Sequence, residues 1–546
     1  MRSVSWLLLI LSWFAIINGG IGRQKRHISF SGIFQQVKNV IDETNKELAH
    51  RKEIDRIMLE QGVDGALGAA SSTFASHLTR FLYTKNQEKV DLLSDKAWIT
   101  VQATKKLISL TGMSLDELKL HPGYLEAWRR QVAQSCPFNV PSCDPTVRFR
   151  TPDGSCNNLN DSSVGAAYTR QRRMMDNAYD DGIDLPRKIS LTGYPLPSSR
   201  LISNMVHKTD GCSLPSEDFT VMTMQFGQFI EHDVISTPLQ RDVRSPMNQA
   251  TSYLDASQVY GVDVDEQLKL RAGVGGLMKI TPLGLPPPSD EPICVQENPG
   301  DYCMATGDFR VNHVPGLTVM HTLFLRQHNR LATGLHLINA KWDDERVFQE
   351  TRKIIIAIEQ HIVYNHLLPT ILNNEYMTKY GLWSERNGHS MSYESDEDVS
   401  IMMGFSGAAM RFPHTRIPDV QSRVNFNYKR RQDAPIFSTF DKPKFVLENY
   451  GRAMDDFARW LVSFPAMKDD RFVVDGVRDH LFRDERGESF DLIALNIQRA
   501  REQGIPPYNH WRRLCGFQPA RFFTVGPGGF TDIPVDVVKK YAMLYK

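Results

Sequence analysis

The chain has 546 residues, 64 Lys and Arg against 63 Asp and Glu, and a formal charge of +1. Its length allows a large core and more than one domain. The even charge balance gives no basis for recognising nucleic acid or an anionic membrane. Met1-Arg2 precede the apolar run WLLLILSWFAII and the small residues Asn18, Gly19 and Gly20, so residues 1–20 are expected to be a secretory signal peptide. That run is short for a bilayer span, and no later one is long enough. Arg23-Gln24-Lys25-Arg26 follows; it reads equally as a processing site or as a solvated charge run.

Residues 21–135 are expected to form a helical N-terminal region, in the manner of a pro-segment. GIFQQVKNVIDETNKELAHRKEIDRIML and the stretch from Phe74 to Leu110 have helical spacing, many charges and few prolines, and carry no chemical motif. At Cys136 prolines, glycines and cysteines appear, and residues 136–546 read as the main domain. The seven cysteines are Cys136, Cys143, Cys156, Cys212, Cys294, Cys303 and Cys515, with no C-x-x-C among them. In a secreted chain most should pair; Cys143 with Cys156 and Cys294 with Cys303 are plausible local partners. Asn160-Asp161-Ser162 is a glycosylation sequon. Helical patterns dominate the rest, strand signals are short and scattered, and the class is mainly α.

The stretch MQFGQFIEHDVIST, Met224 to Thr237, has helical periodicity in Met222, Phe226, Phe229 and Ile230. Gln228 and His232 are i and i+4 and share a face with Glu231, while Asp233 turns toward a second site. Thr251, Asp255 and Ser257, with a carbonyl such as that of Tyr253 and the carboxylate of Asp233, could ring a hard cation such as calcium. TSYLDAS reads also as an ordinary Ser/Thr-rich turn. Arg310 follows Gly307-Asp308-Phe309 and could polarise a peroxide or form a surface salt bridge. His414, in Arg411-Phe412-Pro413-His414, is a ligand or a structural histidine. Asn496, in DLIALNIQRAREQG, is a packing amide or an acceptor for a ligand histidine. His321 and His328, seven apart on one helix, read as core or interface residues.

The segments CDPTVRFRTPDGSCNN, GQFIEHD, TSYLDASQVYG, GDFRVN, MHTLFLRQHNRLA, RFPH and LNIQRAREQGIPPYNHWRRLCG stand in the order found in the animal-type haem peroxidases. The chain resembles that family from about Cys143 to Cys515. The resemblance implies a mainly α fold with few short strands, and a secreted enzyme with haem b and calcium. It implies that hydrogen peroxide is reduced while phenolic, tyrosyl or halide donors are oxidised. By the same resemblance His232 is the distal base, Gln228 orders distal water or halide, and Arg310 stabilises charge as the O–O bond breaks. His414 is the iron ligand, Asn496 holds its ring, and Arg411 lies near a propionate. Asp233, Thr251, Tyr253, Asp255 and Ser257 form the calcium site.

Four positions depart from the family. Glu231 stands for an ester-forming aspartate, and His313 for an ester-forming glutamate. Val314 stands where myeloperoxidase has a third link, so at most one ester bond, through Glu231, is expected. Pro413 replaces a glycine and restricts the approach of His414. Relatives continue well beyond Cys515, so the domain is expected to be incomplete at its C-terminus. These departures also fit a second reading, a secreted matrix or adhesion protein that keeps the fold with little or no catalysis.

Overall fold

The computed structural model describes residues 29–60, 86–131, 142–182, 184–209, 213–238, 247–291, 293–483 and 487–545. The expected signal peptide, the Arg23–Arg26 cluster, Cys136 and Cys212 lie outside them.

Helices dominate, as the periodicity predicts. The N-terminal ones are α1 (Phe30–Glu60), α2 (Gln87–Thr111), α3 (Leu115–Leu120) and α4 (Pro122–Gln131). Ile33, Val37, Val40 and Ile41 make a stripe on α1 that buries against Ile99, Ala103 and Leu107 of α2 and Tyr124, Ala127 and Trp128 of α4. These helices therefore have a hydrophobic cluster of their own. A capping box closes α3: Ser114 accepts from the backbone of Glu117, whose side chain accepts in return. The other face of α2 meets the main body. Val90 packs with Ala167, Tyr168, Met247 and Val262, Asn86 donates to the Tyr168 hydroxyl at 2.8 Å, and Lys105 pairs with Asp181 at 3.0 Å and with Asp184.

The main body is organised around α5 (Val221–Val234), which carries the Gln228–Asp233 cluster. Against it lie α6 (Pro315–Ile338), followed by α7 (Asp344–Ile362), and further on α8 (Ala453–Ser463). Val221, Met224, Phe226, Phe229 and Ile230 of α5 join Leu317, Met320, Phe324, Phe457, Trp460 and Leu461 in the main core. Full burial of each such side chain contributes about 1.5–3 kcal/mol. His321 and His328 are buried core residues. His321 meets the Phe229 ring edge-on at 5.1 Å, and His328 bonds Tyr260 Oη and the Gly276 carbonyl at 2.8 and 2.9 Å.

Strands among the described residues are short and make three two-stranded antiparallel sheets: Thr169–Arg170 with Met247–Asn248, Pro215–Thr220 with Pro465–Met467, and Val420–Val424 with Arg430–Pro435. The second leads into α5 and ties its N-terminus to the end of α8: Val221 N donates to the Phe464 carbonyl at 2.9 Å. Both local disulfides expected from spacing are present, Cys143–Cys156 and Cys294–Cys303. Cys515 is a free, exposed thiol. No helix among the described residues is long and apolar enough to cross a membrane.

Candidate active site

A cavity of about 270 Å³ opens beside α5. Gln228, Glu231 and His232 of α5 line it together with Arg411, Pro413 and His414. Val314, Ile417, Phe440, Trp460, Leu481 and Phe482 supply apolar walls. The i, i+4 spacing thus brings Gln228 and His232 to one space. Gln228 is steadied by Gln225, whose Nε2 donates to Gln228 Oε1 at 2.9 Å. Burial, reinforced by the Arg310 guanidinium, holds the His232 imidazole well below its ordinary pKa, so it is neutral at pH 7.

His414 sits in a 3₁₀ segment, Ala409–Arg416, that accommodates Pro413. Pro413 does not keep His414 from the cavity, because a 3₁₀ turn suits the fixed φ of proline. Burial, then the nearby Arg411, pushes its pKa down to about 3. A further helix, α9 (Leu492–Glu502), is capped by Asp491, which accepts from the amides of Ile493 and Ala494. It delivers Asn496, whose Nδ2 stands 2.7 Å from His414 Nδ1. The Asn496 oxygen accepts from Arg411 Nη1 at 3.0 Å. The sequence expectation had Asn496 accepting from the histidine; here Arg411 takes that oxygen and the amide presents its nitrogen instead. Arg411 lines the cavity, and among the described residues no carboxylate stands at ion-pair distance from it.

Arg310 is held differently from the expectation. Its Nε and Nη2 donate to the two oxygens of Asp308 at 2.8 and 2.6 Å, and Nη2 also reaches the Ile235 carbonyl at 2.9 Å. Arg310 does not line the cavity; it reaches two residues that do, through Nη1 to Glu231 Oε2 and Nη2 to the His232 carbonyl, both 3.4 Å. The same Glu231 oxygen is 3.4 Å from His232 Nε2. Burial raises the Glu231 pKa, opposed by Arg310. Burial acts upward on Asp308 too, but its paired guanidinium wins and holds that carboxyl well below the usual range. His313 lines the cavity between Phe309 and Phe482, both edge-on to its ring, and burial lowers its pKa to about 4.

The oxygen set on the other face of α5 also comes together. Asp233 and Asp255 are fully buried. Asp233 accepts from Ser257 N at 2.6 Å, from Ser257 Oγ at 3.1 Å and from Asp255 N at 3.1 Å. Thr251 Oγ1 donates to Asp255 Oδ1 at 2.8 Å and lies 3.3 Å from the Tyr253 carbonyl. Asp255 Oδ2 is buried with no hydrogen-bond partner. Burial pushes Asp255 up to about 6 and neighbouring Glu359 up to about 8. Among the described residues no trio of His, Cys, Asp or Glu stands at metal-binding distances; this set has two carboxylates, and its other oxygens are hydroxyl and carbonyl.

Sequence reasoning missed Asp308 as a functional neighbour. Its signal was the acid two residues before Arg310, which a 3₁₀ turn, Phe309–Asn312, folds onto the guanidinium. Gly307 shows how tightly this loop abuts the oxygen set. A Cβ there would stand 2.3 Å from the Ser257 carbonyl oxygen and 2.3 Å from Gly261 N.

A family model for the animal haem peroxidases matches residues 149–245 and 239–546. A peroxidase-like protein of Margaritifera margaritifera is 34% identical over 557 residues, covering 86% of this chain and 70% of that protein. Mouse myeloperoxidase is 30% identical over 74% of this chain and 65% of its own length. The human peroxidasin homolog is 31% identical over 69% of this chain and 30% of its own length. Among solved structures, peroxidase A from Dictyostelium discoideum superposes with a TM-score of 0.59 at 26% identity, covering 73% of this chain and 84% of that one. A fatty acid alpha-dioxygenase from Oryza sativa shares the fold alone, with a TM-score of 0.56 at 16% identity, over 88% and 84%. The fold is thus that of the haem peroxidases. The chain belongs to the animal haem peroxidase family and is by class a haem peroxidase enzyme. It spans between 30% and 70% of the length of the three relatives named above.

Proposed function

We propose that this chain is a secreted peroxidase that reduces hydrogen peroxide at haem b and oxidises small phenolic or tyrosyl donors. The observation that carries the reading is a pair of neutral histidines, buried His232 and part-buried His414, that line one apolar-walled cavity. The residues fit the cofactor. His414 would hold the iron, Asn496 its ring, and the unpaired Arg411 a propionate. Haem, when bound, supplies the redox centre between peroxide and donor. His232 takes a proton from one peroxide oxygen and returns it to the leaving oxygen. Gln228 orders water beside it. Arg310, behind Glu231, supplies positive charge rather than a direct contact. Glu231 is the candidate for a single ester link, and His313 cannot form one. Halide oxidation is less favoured, with Val314 at the methionine position.

The buried Asp233–Asp255 pair supports a calcium ion held with Thr251, Tyr253 and Ser257. A cation there would satisfy the orphaned Asp255 oxygen and offset two buried charges. The signal-like N-terminus and the exposed Asn160 of the sequon support secretion and glycosylation, and matrix proteins then become candidate partners. The second reading, a non-catalytic matrix or adhesion protein, is favoured by the engagement of Arg310 with Asp308 outside the cavity. The optical spectrum with and without peroxide tests both. A Soret band that shifts on adding peroxide is expected. A band unmoved by peroxide refutes catalysis, and no band refutes haem.

A further inference from the structure

His232 also lines a second cavity, of about 20 Å³. Its polar walls include Ser236, Gln249, Gln258 and Asp308 as well as His232. That is room for one water with several partners. His232 is 4% exposed, and its Nδ1 has no hydrogen-bond partner. Nδ1 is 3.8 Å from Asp308 Oδ1, too far for a direct hydrogen bond. The other nitrogen, Nε2, is 3.4 Å from Oε2 of Glu231, which lines the large cavity.

We propose that Asp308 is a positioning residue for both distal groups. It pins Arg310 directly and, through one water in the small cavity, holds His232 with its proton on Nδ1, leaving Nε2 bare toward the large cavity. The proposal rests on reading His232 as the distal base. A neutral imidazole carries its proton on one nitrogen, and the hydrogen bond at that nitrogen decides which. A base that accepts at Nε2 must therefore be protonated at Nδ1. Two carboxylates compete for the ring proton. Glu231 faces Nε2 but shares its oxygen with Arg310 at 3.4 Å. Asp308 faces Nδ1 and is fixed on two guanidinium nitrogens, with charge held in place. The fixed anion is nearer Nδ1, and the water-sized space adjoins both residues, so that a water beside the pair can bridge them.

Cyanide is the probe, titrated into the haem-loaded full chain and read from the Soret band. HCN leaves its proton on the distal base when it binds, so its affinity reports Nε2 without turnover. Asp308→Asn is expected to keep haem and to weaken cyanide about tenfold or more. His232→Ala should weaken it at least as much, and in that background Asp308→Asn should add less than about twofold. In an Arg310→Ala background Asp308→Asn should still weaken cyanide. Unchanged affinity in Asp308→Asn, equal losses with and without His232, or an effect that vanishes with Arg310 would each overturn the proposal. Unchanged affinity in His232→Ala would instead overturn the reading of His232 as the base. Should Asp308→Asn fail to hold haem, Ala250→Val carries the test. Ala250 lines the small cavity and not the large one. Its added methyls should displace the water and weaken cyanide about threefold; wild-type affinity would overturn the proposal.

Discussion

Removing the Asn496 amide should loosen haem. The side chain serves two neighbours, His414 Nδ1 at 2.7 Å and Arg411 Nη1 at 3.0 Å. Asn496→Ala deletes both bonds. Arg411 can turn to a propionate, so the lasting loss falls on the imidazole ring, whose direction and basicity toward a metal depend on its second nitrogen. Loss of such a partner costs about 10- to 100-fold in metal affinity, or about 1.4–2.7 kcal/mol. Leaving one buried polar partner unsatisfied gives a similar figure, about 1–3 kcal/mol. Haem transfer to excess apomyoglobin, followed in the Soret band, measures the change, and a urea titration of each variant separates it from global stability. An imidazole that holds metal through one nitrogen carries its proton on the other, so Asn496→Asp, which offers Nδ1 an acceptor and adds a carboxylate beside Arg411, should hold haem at least as well as wild type. Haem release from Asn496→Ala at the wild-type rate would refute the placement of Asn496 behind the iron ligand.

The other expectations concern the two sites around α5. His414→Ala should lose the Soret band altogether; a surviving band means another residue holds the iron. Acidified organic solvent should extract much of the haem, since His313 cannot form an ester and Glu231 offers one link at most; full retention on the protein would contradict this. Chelation should lower the melting temperature, and calcium rather than magnesium should restore it. At a free calcium level 100 times its Kd, the ion adds about 2.7 kcal/mol; no change on chelation would remove calcium from the site. Gly307→Ala should destabilise the fold by about 1–3 kcal/mol, because the new methyl meets backbone atoms of Ser257 and Gly261 that cannot turn aside. An unchanged melting temperature would show that the loop has room to give.

Local spacing made much of the site legible. Gln228, Glu231 and His232 share a face because 3.6 residues make a turn, and Asp233 points elsewhere for the same reason. The two short disulfide loops were readable from sequence distance alone. His414 and Asn496 are 82 residues apart, and no periodicity joins them; only the family's motif order did. Three features had no sequence signal of that kind. Arg310 was expected in the cavity, yet Asp308, two residues earlier, competes for its guanidinium across a tight turn. The half-turn of the Asn496 amide follows from Arg411, which periodicity cannot see. The small cavity beside His232 forms where the 307–309, 249–250 and 257–258 segments converge.

The seam along α2 bears on how the chain could be matured. Val90 covers Ala167, Tyr168, Met247 and Val262, while Lys105 reaches Asp181 and Asp184. Trimming after Arg26 would remove nothing from that seam, since α1 begins only at Phe30. Excising everything to residue 135 would strip it, wetting four apolar side chains and leaving two aspartates without their lysine. The two cuts would thus yield different mature surfaces, and mass spectrometry of the mature chain would tell them apart by about 100 residues.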